Sequence, residues 1–247
     1  MLLPALAAGA SFVLVGTLVG VRMLLLARRT RDLPEFLLGA GLTSLTLVTL
    51  PCVFLGLGLN VGSREVQLFL FAFGLVPVGG LALCFIGFTI CVFQPPRLWA
   101  RAAVITSALT EMAGIAGTVL TRLDAWDADR VVSAGWNILL IVPVVAGMAW
   151  TGTEALRYHR QLRKRLALGL ADPVVCDRFR LWAIGNLGAV VAITILPLSL
   201  LAGWRVVHHP VPILAIAVAG LCLSTTWLFA FVPPAWYLRR VRSRAAG

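Results

Sequence analysis

The sequence predicts an all-α integral membrane protein built as a seven-transmembrane-helix bundle, and two observations carry this prediction. Hydrophobic residues make up 60% of the 247 residues and charged residues only 13%, whereas about one-quarter of the residues in a soluble domain are charged. The apolar residues also form continuous runs of about 20, the length a helix needs to cross a hydrocarbon core about 30 Å thick. A transmembrane β-barrel would instead alternate apolar and polar residues in segments of about ten.

Seven apolar runs follow one another along the chain, and together they form a single domain over residues 1–247. The first run has no basic residue before it and is followed at once by Arg28 and Arg29. A cleavable secretory signal begins with a basic region, so this run is interpreted as a retained anchor. The predicted spans cover residues 3–27, 34–60, 66–93, 100–121, 131–156, 178–204 and 211–232.

Basic residues are distributed unequally between the two sides of the predicted bundle. Sixteen of the 21 Lys and Arg residues lie in the segments after the first, third, fifth and seventh spans or within three residues of them, and four fall in the alternate loops. Because cytoplasmic loops carry the excess of Lys and Arg, the N-terminus is predicted outside and the C-terminus in the cytoplasm. This pattern also accounts for the net charge of +11 without nucleic acid as a partner. Arginine far outnumbers lysine, as in GC-rich genomes, which favours a bacterial inner membrane.

The inner segment at residues 154–180 is polar but helical in pattern. Gly169 is a typical helix stop, and Asp172 followed by Pro173 is typical of an N-cap with proline in the first turn. Helices 5 and 6 are therefore predicted to extend into the cytoplasm as a hairpin. The basic residues of this hairpin suit either anionic lipid headgroups or a cytoplasmic protein partner. Those assigned to the contact are Arg160, Arg163, Lys164 and Arg165.

Glu111 is the residue of greatest functional interest, because it lies about midway along the fourth predicted span. A charged side chain at that depth is costly unless it is paired, hydrated or protonated. Glu111 is therefore predicted to form a ligand or proton site; the alternative is a carboxyl group that only ties two helices together. Hydroxyl groups at similar depth are predicted to complete the site, namely Thr46, Ser107 and Thr225.

Several residues predict how the helices bend and pack. A proline within a span removes a backbone hydrogen bond and permits a kink, and four kinked helices favour an internal pocket or moving parts over a rigid anchor. Gly16 and Gly20 form a G-x-x-x-G pair on the first span, which fits a close helix crossing within one chain or in a homo-oligomer. The four span prolines are Pro51, Pro77, Pro143 and Pro197.

The sequence contains no nucleophile–base motif, H-E-x-x-H or glycine-rich phosphate loop, so neither enzymatic activity nor a metal or cofactor is expected. The predicted topology resembles that of rhodopsins and G-protein-coupled receptors, with no shared sequence motif. Covalently bound retinal is not expected, because rhodopsins attach it to a lysine in the seventh helix. The one lysine here, Lys164, is in a predicted cytoplasmic loop.

The leading functional prediction is a receptor-like or sensory protein with an intramembrane pocket near Glu111. In this interpretation the prolines allow the helices to move, and the basic hairpin binds a cytoplasmic partner that reads the signal. A small-solute or proton-coupled transporter that uses Glu111 is the first alternative. A scaffold subunit of a membrane complex is the second.

Overall fold

Seven helices of the computed structural model are long and apolar enough to cross a membrane, in agreement with the prediction of a helical membrane bundle. The structure describes residues 2–57, 62–93, 98–124, 135–202 and 210–246, and these are helical almost throughout. The predicted ends of the second and sixth spans, at residues 60 and 204, and the predicted start of the fifth, at residue 131, lie outside the described residues. Large apolar side chains such as Phe69 and Leu109 are exposed on the helix surfaces, as expected of a bundle that faces lipid.

Most spans are single helices, and the second is composite. The second span consists of two α-helices, Leu33–Ser44 and Leu50–Leu57, joined by a π-helical segment, Leu45–Thr49. A short basic helix, Ala235–Ala246, follows the seventh span and is called the tail helix. The remaining spans, in the order first, third, fourth, fifth, sixth and seventh, are Leu2–Thr30, Arg64–Phe93, Leu98–Asp124, Trp136–Leu166, Pro173–Leu201 and Pro210–Phe231.

The π-helical segment of the second span ends at Thr49, two residues before Pro51. Proline has no backbone N–H, and its ring clashes with the carbonyl group four residues earlier, which is that of Leu47. A π turn is wider than an α turn, so it takes up this conflict without ending the span. Pro77 and Pro143 lie inside uninterrupted α-helices, so the π-helical segment is specific to the surroundings of Pro51.

Six of the spans form a closed ring, and the fourth span lies outside it. Around the ring, the first span contacts the second, the second the third, the third the fifth, the fifth the sixth, the sixth the seventh, and the seventh the first. The fourth span packs against the third and the fifth. The inner faces of six spans therefore surround the centre of the bundle. The fourth span lies outside the ring, against the third and fifth spans.

Glycine residues let neighbouring spans approach closely. A Cβ atom on Gly20 would lie 2.9 Å from the amide nitrogen of Thr43 and 3.3 Å from the carbonyl oxygen of Gly39. A Cβ atom on Gly16 would lie 2.6 Å from Cγ2 of Thr46. The G-x-x-x-G pair of the first span thus packs against the second span of the same chain, and small residues at such crossings permit close backbone packing in lipid.

The fifth and sixth spans are joined by a short turn over residues 167–172. Gly169 has a φ of 69°, in the left-handed region where glycine is favoured after a helix. The Val174 amide donates a hydrogen bond of 2.7 Å to the carboxylate of Asp172, as at a helix N-cap. The two spans pack against each other, so their ends form one unit at this side of the bundle.

We expect Gly20→Leu to lower the free energy of unfolding by about 1–3 kcal/mol, because the new side chain would force two helix backbones apart. Gly9→Leu is the matched control on the same helix, since a Cβ atom at Gly9 meets no atom within 4 Å. The midpoint of thermal unfolding in detergent should fall for the first variant and stay close to wild type for the second. An equal fall in both would contradict the packing of the first span on the second.

Candidate functional site

A cavity of about 200 Å³ lies at the centre of the ring. All six ring spans contribute to its wall and the fourth span does not. None of the lining side chains that the structure describes is charged. Small cavities with apolar walls stay dry and accept small apolar molecules. The cavity is therefore suited to an apolar ligand. One lining residue from each ring span, in chain order, is Phe12, Leu45, Val78, Val144, Ile193 and Trp227.

An aromatic cluster borders this cavity and joins the third, sixth and seventh spans. It consists of Phe85, Phe88, Trp182, Trp227 and Phe231. Trp182 contacts the other four rings: its centroid lies 6.1 Å from those of Phe85 and Trp227, and Phe231 packs edge-on at 5.1 Å. These are the offset and edge-to-face arrangements that aromatic rings prefer. A shift of the Trp182 ring would therefore change contacts with two neighbouring spans at once.

Glu111 is buried, with 2% of its surface exposed, but it does not line the central cavity. Its side chain faces the third span at Gly79, where a Cβ atom would lie 3.1 Å from Oε2 of Glu111. Val78, the neighbour of Gly79, lines the cavity. The carboxyl group is thus behind the cavity wall, separated from the cavity by the third helix near Pro77.

The second oxygen of this carboxyl group, Oε1, is buried and has no hydrogen-bond partner among the residues that the structure describes. A buried polar atom without a partner carries a desolvation penalty. Gly79 leaves the space in which the carboxyl group fits, because any side chain there would press on Oε2. Glu111 therefore offers one oxygen that can take a proton or a cation.

The three hydroxyl residues predicted to accompany Glu111 have different surroundings. Thr46 lies in the π-helical segment, where its hydroxyl is 2.9 Å from the Leu42 carbonyl oxygen and 3.0 Å from the Thr17 hydroxyl of the first span. Thr225 is exposed on the seventh span. Ser107 is half-buried one turn before Glu111 on the same helix. The structure thus keeps Ser107 beside Glu111 and places Thr46 at the contact between the first and second spans.

A buried polar layer that was not predicted from the sequence lies between the third, fifth and sixth spans. The hydroxyl oxygens of Thr89 and Thr151 are 2.6 Å apart, and the Asn186 amide donates to the Trp182 carbonyl oxygen at 2.8 Å. Among the described residues, Oδ1 of Asn186 and the indole nitrogens of Trp182 and Trp227 are buried without a partner. The signal in the sequence was Asn186, an amide within an apolar run, since polar residues at that depth usually face the interior.

Arg122 is buried in the fourth helix, although the sequence placed it in an outer loop. The helix continues to Asp124 rather than ending at residue 121, and Arg122 is only 2% exposed. Its guanidinium group donates a hydrogen bond of 2.9 Å to the carbonyl oxygen of Gly56. Buried arginines in membrane helices commonly pair with backbone carbonyls, and this bond ties the fourth span to the second.

The tail helix is bound to the start of the sixth span. The Asp177 carboxylate accepts a hydrogen bond from the Tyr237 hydroxyl and forms an ion pair of 2.5 Å with Arg180. Beside it, Nδ1 of His159 lies 2.9 Å from the Cys176 carbonyl oxygen and joins the fifth span to the sixth. An open cavity of about 580 Å³ lies among these three helices and the end of the seventh span. The ends of the fifth and sixth spans and the tail helix therefore form one connected unit.

The four basic residues predicted to contact a partner or lipid are exposed at the end of the fifth span. None of them forms an ion pair with another described residue. Arg157, by contrast, pairs with Glu154 at 2.6 Å. Cationic groups are therefore available on this surface for an external anion; they are Arg160, Arg163, Lys164 and Arg165.

We expect Glu111→Met to leave the midpoint of thermal unfolding unchanged or to raise it. Methionine is long and adaptable, and an apolar replacement of a buried polar group can be neutral or stabilising. Thr151→Val is the comparison variant: it removes the contact with Thr89 and should cost about 1 kcal/mol. A loss of stability in Glu111→Met as large as in Thr151→Val would mean that the carboxyl group has a stabilising partner.

Two features of the bundle can act on a ligand, and they are separate in space. The central cavity has the size and the apolar walls that suit a small apolar molecule, and the Glu111 carboxyl group behind its wall has a buried oxygen without a partner among the described residues. Comparison of the chain with protein-family models, with curated proteins and with solved structures found no match.

Proposed function

We propose that the chain is a receptor-like or sensory membrane protein, in which a small apolar ligand in the central cavity shifts the fifth and sixth spans. The observation that carries this proposal is the cavity itself, about 200 Å³ in volume and walled by both of these spans. The ligand site is accordingly the centre of the ring rather than the surroundings of Glu111. Glu111 supports the wall of the site through Gly79.

The fifth and sixth spans connect the cavity to the basic end of the bundle. Val144 and Met148 of the fifth span and Ile193 of the sixth line the cavity, and both helices run without a break to the turn at residues 167–172. Packed helices move as rigid bodies between discrete arrangements. A ligand favours one arrangement by binding it more tightly than the other, so occupancy of the cavity would appear as a movement of the turn.

The distribution of basic residues supports a cytoplasmic position for this turn and for the C-terminus. Membrane-spanning capacity together with an arginine-rich composition supports placement in a bacterial inner membrane. The exposed cations Arg160, Arg163, Lys164 and Arg165 would then meet the acidic surface of a cytoplasmic partner, in competition with anionic headgroups. The tail helix borders this surface, since Arg163 and Tyr237 line the same open cavity.

We expect toluene, a small apolar probe, to alter amide hydrogen exchange at residues 157–180 of the wild-type protein in lipid nanodiscs. Val144→Phe should abolish the change, because the larger side chain occupies the cavity that Val144 lines. Val142→Phe is the matched control on the same helix, since Val142 is 52% exposed and faces away from the cavity. It should respond to toluene as the wild type does.

Two results of this experiment would contradict the proposal. An equal response in Val144→Phe would mean that toluene acts through the surrounding lipid. Binding of toluene to the wild type can be verified by a higher midpoint of thermal unfolding. If toluene binds but hydrogen exchange at residues 157–180 does not change, the cavity and the hairpin are not coupled.

Proton-coupled transport is the second candidate, and the unpartnered Oε1 of Glu111 favours it. A proton-coupled carrier needs a protonatable group within the membrane, and here that group lies against Gly79, two residues after Pro77. We expect wild-type proteoliposomes to take up protons under an imposed membrane potential if this candidate holds, and Glu111→Gln to abolish the uptake. Glu154→Gln is the control, since Glu154 is paired with Arg157. No proton movement above that of empty liposomes would refute this candidate.

A further inference from the structure

We propose that the bundle has a second binding site, for an anionic amphiphile with a phosphate or carboxylate headgroup and an acyl chain. The site, here called the arginine pocket, is a cavity of about 290 Å³ among the first, third, sixth and seventh spans. It lies at the end of the bundle that carries the basic hairpin. The residues that define it are Arg22, Leu26, Phe88, Arg178, Trp182 and Phe231.

The charge of the arginine pocket is uncompensated. Among the lining residues that the structure describes, only Arg22 and Arg178 are charged. Neither forms an ion pair or hydrogen bond with another described residue. Arg22 also lies within the first span, well before that helix ends at Thr30. Guanidinium groups bind phosphate and carboxylate through paired hydrogen bonds. A single headgroup held between the two cations would relieve their repulsion.

Trp182 supplies a second, independent observation. It lines the pocket, is only 3% exposed, and its indole nitrogen is buried without a partner among the described residues. Trp182 lies one turn after Arg178 on the sixth span, and residues four apart share a helix face. An acceptor oxygen of the headgroup or of its ester linkage would give the indole N–H of Trp182 a hydrogen-bond partner. If the two arginines instead only extended towards water, this N–H would remain without a partner.

The rest of the pocket suits an acyl chain. Leu26, Phe88 and Phe231 give it apolar walls, and Leu26 is 39% exposed, so the pocket is reached sideways from the lipid. The aromatic cluster separates it from the central cavity: Phe85 and Trp227 line the cavity, and the other three rings line the pocket. The amphiphile would therefore hold Trp182 from the side opposite the proposed ligand.

Native mass spectrometry of the full chain in detergent micelles tests this site, with dioleoylphosphatidylglycerol, oleate and dioleoylphosphatidylcholine titrated separately. We expect phosphatidylglycerol, oleate or both to bind more tightly than phosphatidylcholine, whose headgroup has no net charge. Arg22→Gln/Arg178→Gln should weaken the anionic ligand about tenfold or more, the usual effect of losing a hydrogen bond to a charged group. Arg29→Gln/Arg101→Gln removes the same charge at two exposed positions at the same end, outside the pocket, and should leave the affinity unchanged.

Trp182→Phe keeps an aromatic ring in the cluster but removes the indole N–H donor. It should therefore also weaken binding of the anionic ligand. Tight binding of phosphatidylglycerol alone would identify a phospholipid as the source of the headgroup, and tight binding of oleate alone a fatty acid; both support the site. Equal affinities in the two double variants, or phosphatidylcholine binding as tightly as the anionic ligands, would overturn it. The hairpin response to toluene is measured separately, so either proposal can fail alone.

Discussion

The close approach of helix backbones at glycine is the contact on which the rest of the bundle depends. Lipid is as apolar as the helix surfaces, so no hydrophobic effect draws the spans together and close packing must do so. Gly20 allows the second span to pack closely on the first, and Gly74 allows the third span to pack closely on the second. A Cβ atom added to Gly74 would lie 3.0 Å from the Val53 amide nitrogen. Gly79 receives the carboxyl group of Glu111 from the fourth span. These contacts support the ring of six spans and the position of the fourth outside it.

The position of the fourth span outside the ring separates the buried carboxyl group of Glu111 from the central cavity. The cavity is uncharged because the inner faces of the ring contribute aliphatic and aromatic side chains, and Glu111 belongs to the span that takes no part in the ring. The contact of Glu111 with the cavity wall is through the third helix, at Gly79 beside Val78. The aromatic cluster lies between the central cavity and the arginine pocket. Its Trp182 ring contacts Phe85, which lines the cavity, and Phe231, which lines the pocket.

The degree to which each feature could be predicted depends on how local its cause is. The burial of Glu111 could be predicted from its depth in an apolar run. Its contact with Gly79 could not, because packing sets the rotation of each helix about its axis. Thr46 and Thr225 share that predicted depth, yet one is buried against Thr17 and the other is exposed. In a membrane protein both the lipid-facing and the inner positions are apolar, so hydrophobic periodicity gives a weak indication of which face is inside.

Local chemistry along the chain was sufficient for the number of spans and their helical state, because apolar runs of this length in lipid must satisfy their backbone groups internally. It was also sufficient for Gly169, which ends a helix in the left-handed conformation, and for an irregularity near Pro51, where the second span becomes π-helical. The ring order, the central cavity and the meeting of Arg22 with Arg178 were decided only when the helices packed. Each of these joins residues far apart in the chain, and their contact depends on helix rotation and crossing, which no local pattern encodes.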